Sequence, residues 1–300
     1  MNPLRRVRTR AARALDRRVE RIVHHLDLHR TIYCGDHQVL TRIPCGRPIY
    51  LDLRDTSVAA HIALGDAWEP HVAAVLADLA RPTDSFVDVG ANFGYHTLML
   101  ADRLSGDRPF RLFEPNPVVR DVLRRTLLAN GIAHRSALEA VALSDREGTA
   151  TLSVWTGHWG GASLQDAATH QAANRPWIGM TEVEDTFTVD TVTLDHYADE
   201  HDLPTLDLCK IDVEGHEDAV FAGMTALVDR SPAARMVLEF TFDAYTDADG
   251  FWDDLCAAFP HRRAVADDGS LPEVRTVGDL RATTTHELVN VVLSRVPIPG

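Results

Sequence analysis

A glycine-containing turn early in the chain has the residue types and spacing of a ligand-binding loop. It runs Asp88-Val89-Gly90-Ala91-Asn92-Phe93-Gly94, between an apolar strand-like segment and a helix-like one. Glycines in such a turn let backbone N–H groups approach a ligand closely. A dinucleotide fingerprint needs Gly-x-Gly-x-x-Gly, and reading from Gly90 this chain has Asn92 and Tyr95 at the second and third glycine positions. The turn therefore argues against a nicotinamide or flavin dinucleotide.

The spacing of this turn instead resembles the acidic-x-Gly-x-Gly-x-Gly turn of class I S-adenosylmethionine-dependent methyltransferases. Asn92 replaces the middle glycine, and asparagine is the non-glycine residue that best tolerates a left-handed backbone. Glu114 follows Asp88 by 26 residues, at the end of the next predicted strand, where a carboxylate can accept hydrogen bonds from both ribose hydroxyls of an adenosine. The predicted cofactor-binding residues are Asp88, Gly90, Asn92, Gly94, Glu114, Ser144 and Asp145.

A second chemically dense segment, Asp207 to Glu217, places five charged residues around an apolar strand. Charges at a strand end are more often functional or paired than idle, because burying them without partners is costly. Lys210, the only lysine of the chain, lies in this segment. A structural ion pair between Lys210 and a neighbouring acid is the alternative to a functional role.

The elements that must position these residues alternate between strand and helix. The sequence predicts parallel strands at Ser85–Val89, Phe110–Phe113, Ala137–Leu143, Leu206–Val213 and Arg235–Phe240, helices at Tyr95–Leu104, Val118–Asn130, Glu217–Val228 and Phe251–Ala258, and a final strand pair at Arg262–Ala266 and Leu288–Val296. Strand-helix-strand units of this length require a parallel sheet with helices on both faces. The fold class is therefore α/β.

Three regions are predicted along the chain. Residues 1–30 form a basic amphipathic helix, residues 31–80 a hairpin and a helix, and residues 81–300 the cofactor-binding domain, with an insertion around residues 150–192. Three tryptophans, Trp155, Trp159 and Trp177, lie in that insertion. They predict either a lid or sugar platform beside a glycine loop, or core packing.

Composition restricts the partners. The net charge is −14, of which residues 1–30 contribute +6 and the remainder −20. Such an acidic body is a poor partner for phosphate backbones. No apolar stretch reaches the ~18 residues of a membrane helix, and the N-terminus lacks the apolar segment of a secretory signal, so we expect a cytoplasmic protein. The four cysteines form no Cys-x-x-Cys pair, so no metal site is predicted from them.

Taken together, the motifs resemble those of the FkbM-family methyltransferases. The residues that carry the resemblance are Phe86–Gly94, Glu114-Pro115, Ala142–Asp145, Gly161–Leu164, Thr193–Asp195, Lys210–Glu217 and Val237–Glu239, in the family's order. The Lys-Ile-Asp-Val-Glu-Gly segment is the most specific of them. The resemblance implies a Rossmann-like sheet of seven mostly parallel strands with the last one antiparallel, S-adenosylmethionine as methyl donor, and O-methylation of a hydroxyl on a sugar or other natural-product scaffold.

The catalytic residues are predicted from the rule that ligands lie at the carboxyl ends of the strands in such a sheet. The predicted residues nearest the acceptor are Asp212, Glu214, His216 and Glu239. Asp212 and Glu214 point in opposite directions if their strand persists that far. A divalent cation held by Asp212 and Glu239 is an alternative to direct base catalysis.

The expected partner is a small-molecule hydroxyl acceptor, such as a glycoside or polyketide, and the oligomeric state is left open. Two rival functions also stay open at the level of sequence. One is an RNA methyltransferase that uses the arginine-rich segment as an electrostatic arm. The other is a cofactor-binding module without turnover.

Overall fold

A computed structural model describes residues 31–104, 108–164 and 183–298. The predicted basic helix of residues 1–30 lies outside the described residues. The strands are β1 (Ile32–Gly35), β2 (Gln38–Arg42), β3 (Pro48–Asp52), β4 (Phe86–Val89), β5 (Phe110–Phe113), β6 (Ser136–Glu139), β7 (Ala142–Leu143), β8 (Gly148–Trp155), β9 (His158–Ser163), β10 (Val183–Val192), β11 (Leu208–Ile211), β12 (Arg235–Thr241), β13 (His261–Ala264) and β14 (Leu288–Ser294). The helices are α1 (Val58–Ala63), α2 (Pro70–Leu79), α3 (Tyr95–Leu100), α4 (Pro117–Ala129), α5 (Leu194–Glu200), α6 (Glu217–Ala222), α7 (Thr225–Asp229), α8 (Ala248–Ala258) and α9 (Val277–Arg281).

The main sheet has seven strands in the order β13-β14-β12-β11-β4-β5-β6. All are parallel except β14, which runs antiparallel to both of its neighbours. The central strands are buried along their whole length, as strands covered by helices on both faces must be. The predicted fold, a Rossmann-like methyltransferase sheet with one antiparallel strand at the end of the chain, is confirmed.

The direction of strand addition reverses at β4, which has β5 on one side and β11 on the other. In open α/β sheets a crevice forms outside the carboxyl ends of the strands at such a switch point. The glycine turn begins at Gly90, directly after β4. The topology therefore brings the turn, Glu114 after β5 and Asp212 after β11 to one edge of the sheet, called here the carboxyl edge.

Residues 31–80 contain a three-stranded antiparallel sheet, β1-β2-β3, followed by α1 and α2. The sheet docks on α4, where the Tyr50 N–H donates to the Thr126 hydroxyl at 3.0 Å. Helix α2 contributes Val72, Leu76 and Leu79 to the same core as α3 and α4. As a result, the start of α2 lies at the carboxyl edge.

The insertion forms a second sheet, β7-β10-β8-β9, whose residues 165–182 lie outside the described part of the chain. One strand prediction here is wrong. Ala137–Leu143 was expected as a single strand, but β6 ends at Glu139 while Ala142–Leu143 pairs with β10. The apolar run continues through a point where the chain changes its pairing partner. Periodicity alone therefore predicts one long strand in place of two short ones.

Two further predictions need correction next to the charged segment. Strand β11 ends at Ile211, so Asp212 and Glu214 do not continue its alternation. The predicted helix Glu217–Val228 is two short helices, α6 and α7, interrupted at Gly223. A Cβ atom at Gly223 would overlap the main-chain oxygen of Ser144, so the break allows close approach to the third-strand loop. No helix among the described residues is long and apolar enough to cross a membrane.

Candidate functional site

The glycine turn adopts the left-handed backbone that its sequence predicts. Gly90, Asn92 and Gly94 have φ angles of 77°, 50° and 89°. A Cβ atom at Gly90 would overlap the main-chain oxygen of Asp212, so this position requires glycine in order to bring the ends of β4 and β11 together. The prediction that Asn92 replaces a glycine by tolerating the left-handed region is confirmed.

Glu114 holds the turn from the adjacent strand end. One carboxylate oxygen accepts from the Asn92 N–H at 2.9 Å, and the other accepts from the Asn116 N–H at 2.9 Å. Burial raises the pKa of Glu114 to about 7, although both amide hydrogen bonds oppose that shift. Each carboxylate oxygen accepts from one amide and keeps lone-pair capacity for a further donor on the pocket side.

Asp88 lies beneath the turn instead of on the pocket wall. It is 1% exposed, and one of its oxygens accepts from the Thr97 hydroxyl at 2.6 Å. It sits beside Lys210 in the register of β4 and β11. Burial raises its pKa to about 6. The contact with Thr97 fixes α3 against β4, so Asp88 positions the helix that follows the turn.

A pocket opens between the turn and the loops after β5, β6 and β11. Its apolar walls come from Phe113, Val141, Leu143, Leu152 and Leu164. Its polar lining includes Glu114, Asp212, Glu214 and His216. An apolar slot with a few convergent polar groups has the form of a small-molecule site.

His216 lies on the side of Ser144 and Asp145. Its Nε2 is 3.0 Å from the Ser144 hydroxyl, which in turn donates to Asp145 at 3.2 Å. Burial lowers the pKa of His216. The structure thus groups His216 with predicted cofactor-binding residues and away from Glu239.

The second sheet covers the pocket through polar contacts. The Asn92 and Asn116 side chains donate to the carbonyl oxygens of Gly160 and Trp159, at 3.3 and 3.0 Å. The Gly160 N–H donates to Asp55 at 2.7 Å. Trp155 and Trp159 are buried, so their core-packing alternative holds, whereas Trp177 lies outside the described residues. The roof of the pocket is therefore tied both to the glycine turn and to the N-terminal region.

Lys210 forms an ion pair with Asp212, with the Nζ atom 2.7 Å from a carboxylate oxygen. The lysine side chain is only 4% exposed. Burial alone lowers a lysine pKa, but the surrounding carboxylates of Asp212, Asp88 and Glu69 outweigh it and raise the pKa of Lys210. The ion pair expected as the alternative to a functional role is present, and Asp212 also lines the pocket.

Glu214 pairs with His158 of β9. Their closest side-chain atoms are 3.5 Å apart, and Glu214 has a left-handed backbone with a φ of 56°. Burial lowers the pKa of His158, but Glu214 and Asp55 raise it by more, so the net shift is upward. The contact with His158 thus holds Glu214 at the pocket wall.

Glu239 lies near the carboxyl end of β12, on the far side of Asp212 from the pocket. It is 7% exposed, and its carboxylate makes no hydrogen bond to any residue that the structure describes. Burial, together with the negative charges of Asp212 and Glu214, raises its pKa well above the ordinary value. Glu239 is therefore a buried acid whose carboxylate has no hydrogen-bond partner in the described part of the chain.

Two residues at this edge are missed by the sequence analysis. Glu69 caps the start of α2 with a φ of 40°, and His96 lies on α3 with its Nε2 atom 3.5 Å from a Glu69 oxygen. Asn290 of β14 donates to the other Glu69 oxygen at 3.4 Å. The one available signal was Pro70, whose preference for the first turn of a helix marks Glu69 as a cap but says nothing about what it faces.

No group of three or more histidine, cysteine, aspartate or glutamate side chains is arranged to hold a metal ion within residues 31–104, 108–164 and 183–298. The carboxylates at the carboxyl edge are instead distributed around Lys210.

The sequence matches a family model described as the methyltransferase FkbM domain over residues 88–267, which is 180 of its 300 residues. No curated protein matches it. Among solved structures, it is similar to an FkbM methyltransferase from Methylobacillus flagellatus, with 12% identity and a TM-score of 0.46. That match covers 72% of this chain and 44% of the other, so the chain spans less than half the length of that protein.

Two further solved structures resemble the chain. One is an O-methyltransferase from Bacillus cereus in complex with SAH, with 13% identity, a TM-score of 0.39 and coverage of 78% of this chain and 86% of the other. The other is an rRNA methylase from Streptococcus thermophilus, with 12% identity, a TM-score of 0.41 and coverage of 75% and 95%.

Proposed function

The chain belongs to the FkbM methyltransferase family, and from this premise we propose that it transfers a methyl group from S-adenosylmethionine to a hydroxyl of a small molecule, such as a sugar or another natural product. The observation that carries the proposal is a single pocket at the switch point of the sheet. Its lining joins the glycine turn and Glu114 to the carboxylates of Asp212 and Glu214.

The residues present fit the donor. Glu114 would accept hydrogen bonds from the ribose hydroxyls, and the slot between Val141, Leu143 and Leu152 would hold the adenine. Ser144, Asp145 and His216 lie next to this slot and offer polar groups to the edge of the base. The turn residues Gly90, Asn92 and Gly94 would support the methionine portion, while Asp88 acts from below by fixing α3.

When bound, S-adenosylmethionine supplies an electrophilic methyl group to an in-line displacement. The chain has to orient the acceptor oxygen, exclude water and take the hydroxyl proton. Asp212 and Glu214 face the pocket, and each is held by a basic side chain, Lys210 and His158 respectively. A positioned carboxylate contributes typically ~10²–10⁴-fold as a general base. We assign proton removal to this pair.

The charge of the site favours a neutral or cationic acceptor over a nucleic acid. Asp212 and Glu214 line the pocket where the acceptor would lie, Glu239 adds negative charge beyond Asp212, and Lys210 is already paired. Residues beyond position 30 carry a formal charge of −20. Phosphate groups would be repelled by such a surface, because nucleic-acid binding depends on cationic neutralisation of the backbone. RNA methylation is the rival outcome to be tested.

The test is incubation with methyl-tritiated S-adenosylmethionine and two separate acceptor sets, hydroxyl-bearing glycosides and polyketides on one side and RNA on the other. We expect label in the small-molecule fraction only. Label in RNA would favour the rival activity, and binding of the donor without transfer to either set would favour a cofactor-binding module.

Variants separate catalysis from structure within the same assay. Asp212→Asn and Glu214→Gln should lower single-turnover transfer while leaving donor affinity little changed, because the lost interaction belongs to the transition state. Glu200→Gln, the same chemical change at an exposed position, serves as control. If both pocket variants lose melting temperature and activity in proportion, the carboxylates are structural partners. Full activity in both would move the search to His216, Glu239 and His158.

A further inference from the structure

The carboxyl edge holds more negative charge than its one lysine can balance. Asp212 and Asp88 lie on either side of Lys210, and Glu239 follows on the next strand. Asn290 pairs with Glu239 across β12 and β14, and its amide reaches Glu69. The chain of neighbours Asp212, Glu239, Asn290 and Glu69 therefore runs along the edge of the sheet beside the pocket.

The acids of this edge have unused hydrogen-bonding capacity. Within the described residues, the Glu239 carboxylate makes no hydrogen bond, and one oxygen of Glu69 has no hydrogen-bond partner. Glu69 also has a left-handed backbone, a conformation that non-glycine residues adopt rarely and that clusters at functional sites. Buried acids without partners must be protonated or face a cation. The only lysine is already committed to Asp212.

The groups that face this edge come from every element packed on it. They are Glu69 at the start of α2, Asp88 of β4, His96 of α3, Lys210 of β11, Asp212 and Glu214 after β11, Glu239 of β12, Glu217 of α6 and His158 of β9. Glu217 is saturated by the N–H groups of Val213 and Gly215 and by the Tyr245 hydroxyl. Burial lowers the pKa of His96 well below its ordinary value, so it adds no positive charge at neutral pH.

We propose that Glu69, Asp212 and Glu239 form an anionic site that recognises the positive charge of the donor's sulfonium and takes up the acceptor's proton when that charge disappears. The inference rests on the proposed function, because it needs the donor to lie over Gly90 with its sulfur toward Asp212. It adds Glu69, a residue of the N-terminal region, to the machinery of the cofactor domain.

The transfer step keeps the charge of this site constant. The bond between the acceptor oxygen and the methyl carbon forms while the methyl–sulfur bond breaks, and the electron pair of the broken bond stays on sulfur. The hydroxyl proton passes to Asp212, the carboxylate that this site shares with the pocket lining. A sulfonium beside a carboxylate thus becomes a neutral thioether beside a carboxylic acid. The same balance predicts that binding S-adenosylmethionine expels protons from the site, whereas binding S-adenosylhomocysteine does not.

The experiment is calorimetric titration of the full-length protein with S-adenosylmethionine and, separately, S-adenosylhomocysteine, in buffers of different ionisation enthalpy near pH 7. We expect S-adenosylmethionine to release on the order of half a proton more than S-adenosylhomocysteine. We also expect its relative affinity to rise about tenfold from about pH 6 to about pH 8. No acceptor is needed for either readout.

Variants isolate the carboxylates from the amino groups of the ligands, which also titrate. Glu239→Gln and Glu69→Gln should each reduce the extra proton release and lower S-adenosylmethionine affinity at high pH by on the order of tenfold, with S-adenosylhomocysteine affinity retained. The exposed Glu200→Gln should behave as wild type. Circular dichroism identifies a variant that fails to fold, and the other variant then decides.

Equal proton release by the two ligands in the wild-type protein would overturn the inference. So would an extra release that persists undiminished in both variants. If neither ligand binds the wild-type protein, the proposed function itself fails, and this inference fails with it.

Discussion

The two ends of strand β12 carry buried charge in opposite ways. Arg235 opens the strand and makes a bidentate ion pair with Asp84, at 2.9 and 3.0 Å. The same guanidinium donates to the carbonyl oxygens of Leu79 and Ala233. Both side chains of the pair are at most 5% exposed. At the other end, Glu239 is equally buried and has no such partner among the described residues.

The two ends of β12 distinguish buried charges that stabilise the fold from buried charges that are available to a ligand. At the amino end of β12 the Arg235–Asp84 pair has both charges balanced and its guanidinium donors used, so this pair is complete without a ligand. At the carboxyl edge, several carboxylates surround one lysine, and atoms of Glu69, Asp88 and His96 lack hydrogen-bond partners within the described residues. Unsatisfied buried groups destabilise a fold, and three of them lie close to one lysine at this edge, which points to a functional role for the cluster.

The largest expected effect is a loss of stability when the ion pair at the amino end of β12 is broken. Asp84→Ala leaves the Arg235 guanidinium buried without its counter-charge, which should lower the free energy of unfolding by about 3–5 kcal/mol. Urea unfolding measures the loss. Asp199→Ala is the matched control, because its pair with Arg230 is exposed and should contribute less than about 1 kcal/mol. Equal losses in the two variants would remove the distinction between the buried pair and a surface pair.

The next effect concerns Glu114, the best-satisfied acid of the pocket. Glu114→Ala should weaken S-adenosylmethionine binding by roughly 1.5–3 kcal/mol, because at least one charge-assisted hydrogen bond to the ribose is lost. Calorimetry measures the affinity, with the exposed Glu147→Ala as control. Undiminished affinity in Glu114→Ala, or tight binding of NAD by the wild-type protein, would refute the assignment.

The pH dependence of stability tests the buried acids of the carboxyl edge without a mutation. The folded chain raises the pKa of Asp88 to about 6 and those of Glu69, Glu114 and Glu217 to about 7, in each case chiefly by burial. The unfolded chain loses these protons at lower pH and therefore binds fewer of them in this range. The melting temperature of the ligand-free protein should fall as pH rises from about 5 to about 8. A rise over that interval would show that the acids are stabilised by partners.

The smallest effect is expected outside the compared regions. The predicted cofactor and acceptor motifs lie beyond Tyr50, so deleting residues 1–21 should leave a folded protein with unchanged donor affinity. Circular dichroism and calorimetry test this together. Lost donor binding in a folded deletion variant would assign the arginine-rich segment to the site.

The sequence predicted those parts of the molecule that depend on local pattern. The alternation of apolar strands and helices indicated the parallel sheet, and the left-handed turn at Asn92 followed from residue type. The ion-pair alternative for Lys210 could be stated in advance because a buried lysine needs a partner. Each of these inferences uses residues close in sequence.

The parts that sequence reasoning missed depend on approach between distant elements. Glu69 reaches the site because α2 packs on the sheet, and no local signal reports that packing. Asp212 and Glu214 both face the pocket because β11 stops at Ile211, an ending set by the close passage of Gly90 and not by side-chain pattern. Tertiary contacts determine both the position of Glu69 and the end of β11.

We infer that Glu239 is kept ionisable for the donor at a cost to the fold. The decisive measurement is the unfolding free energy of Glu239→Gln beside wild type at about pH 8, with and without saturating S-adenosylmethionine. Without the donor, we predict a variant at least as stable as wild type, because it lacks a buried negative charge. With the donor, wild type should gain more stability than the variant. A variant that is less stable without the donor, and that gains as much from it as wild type does, would contradict the claim.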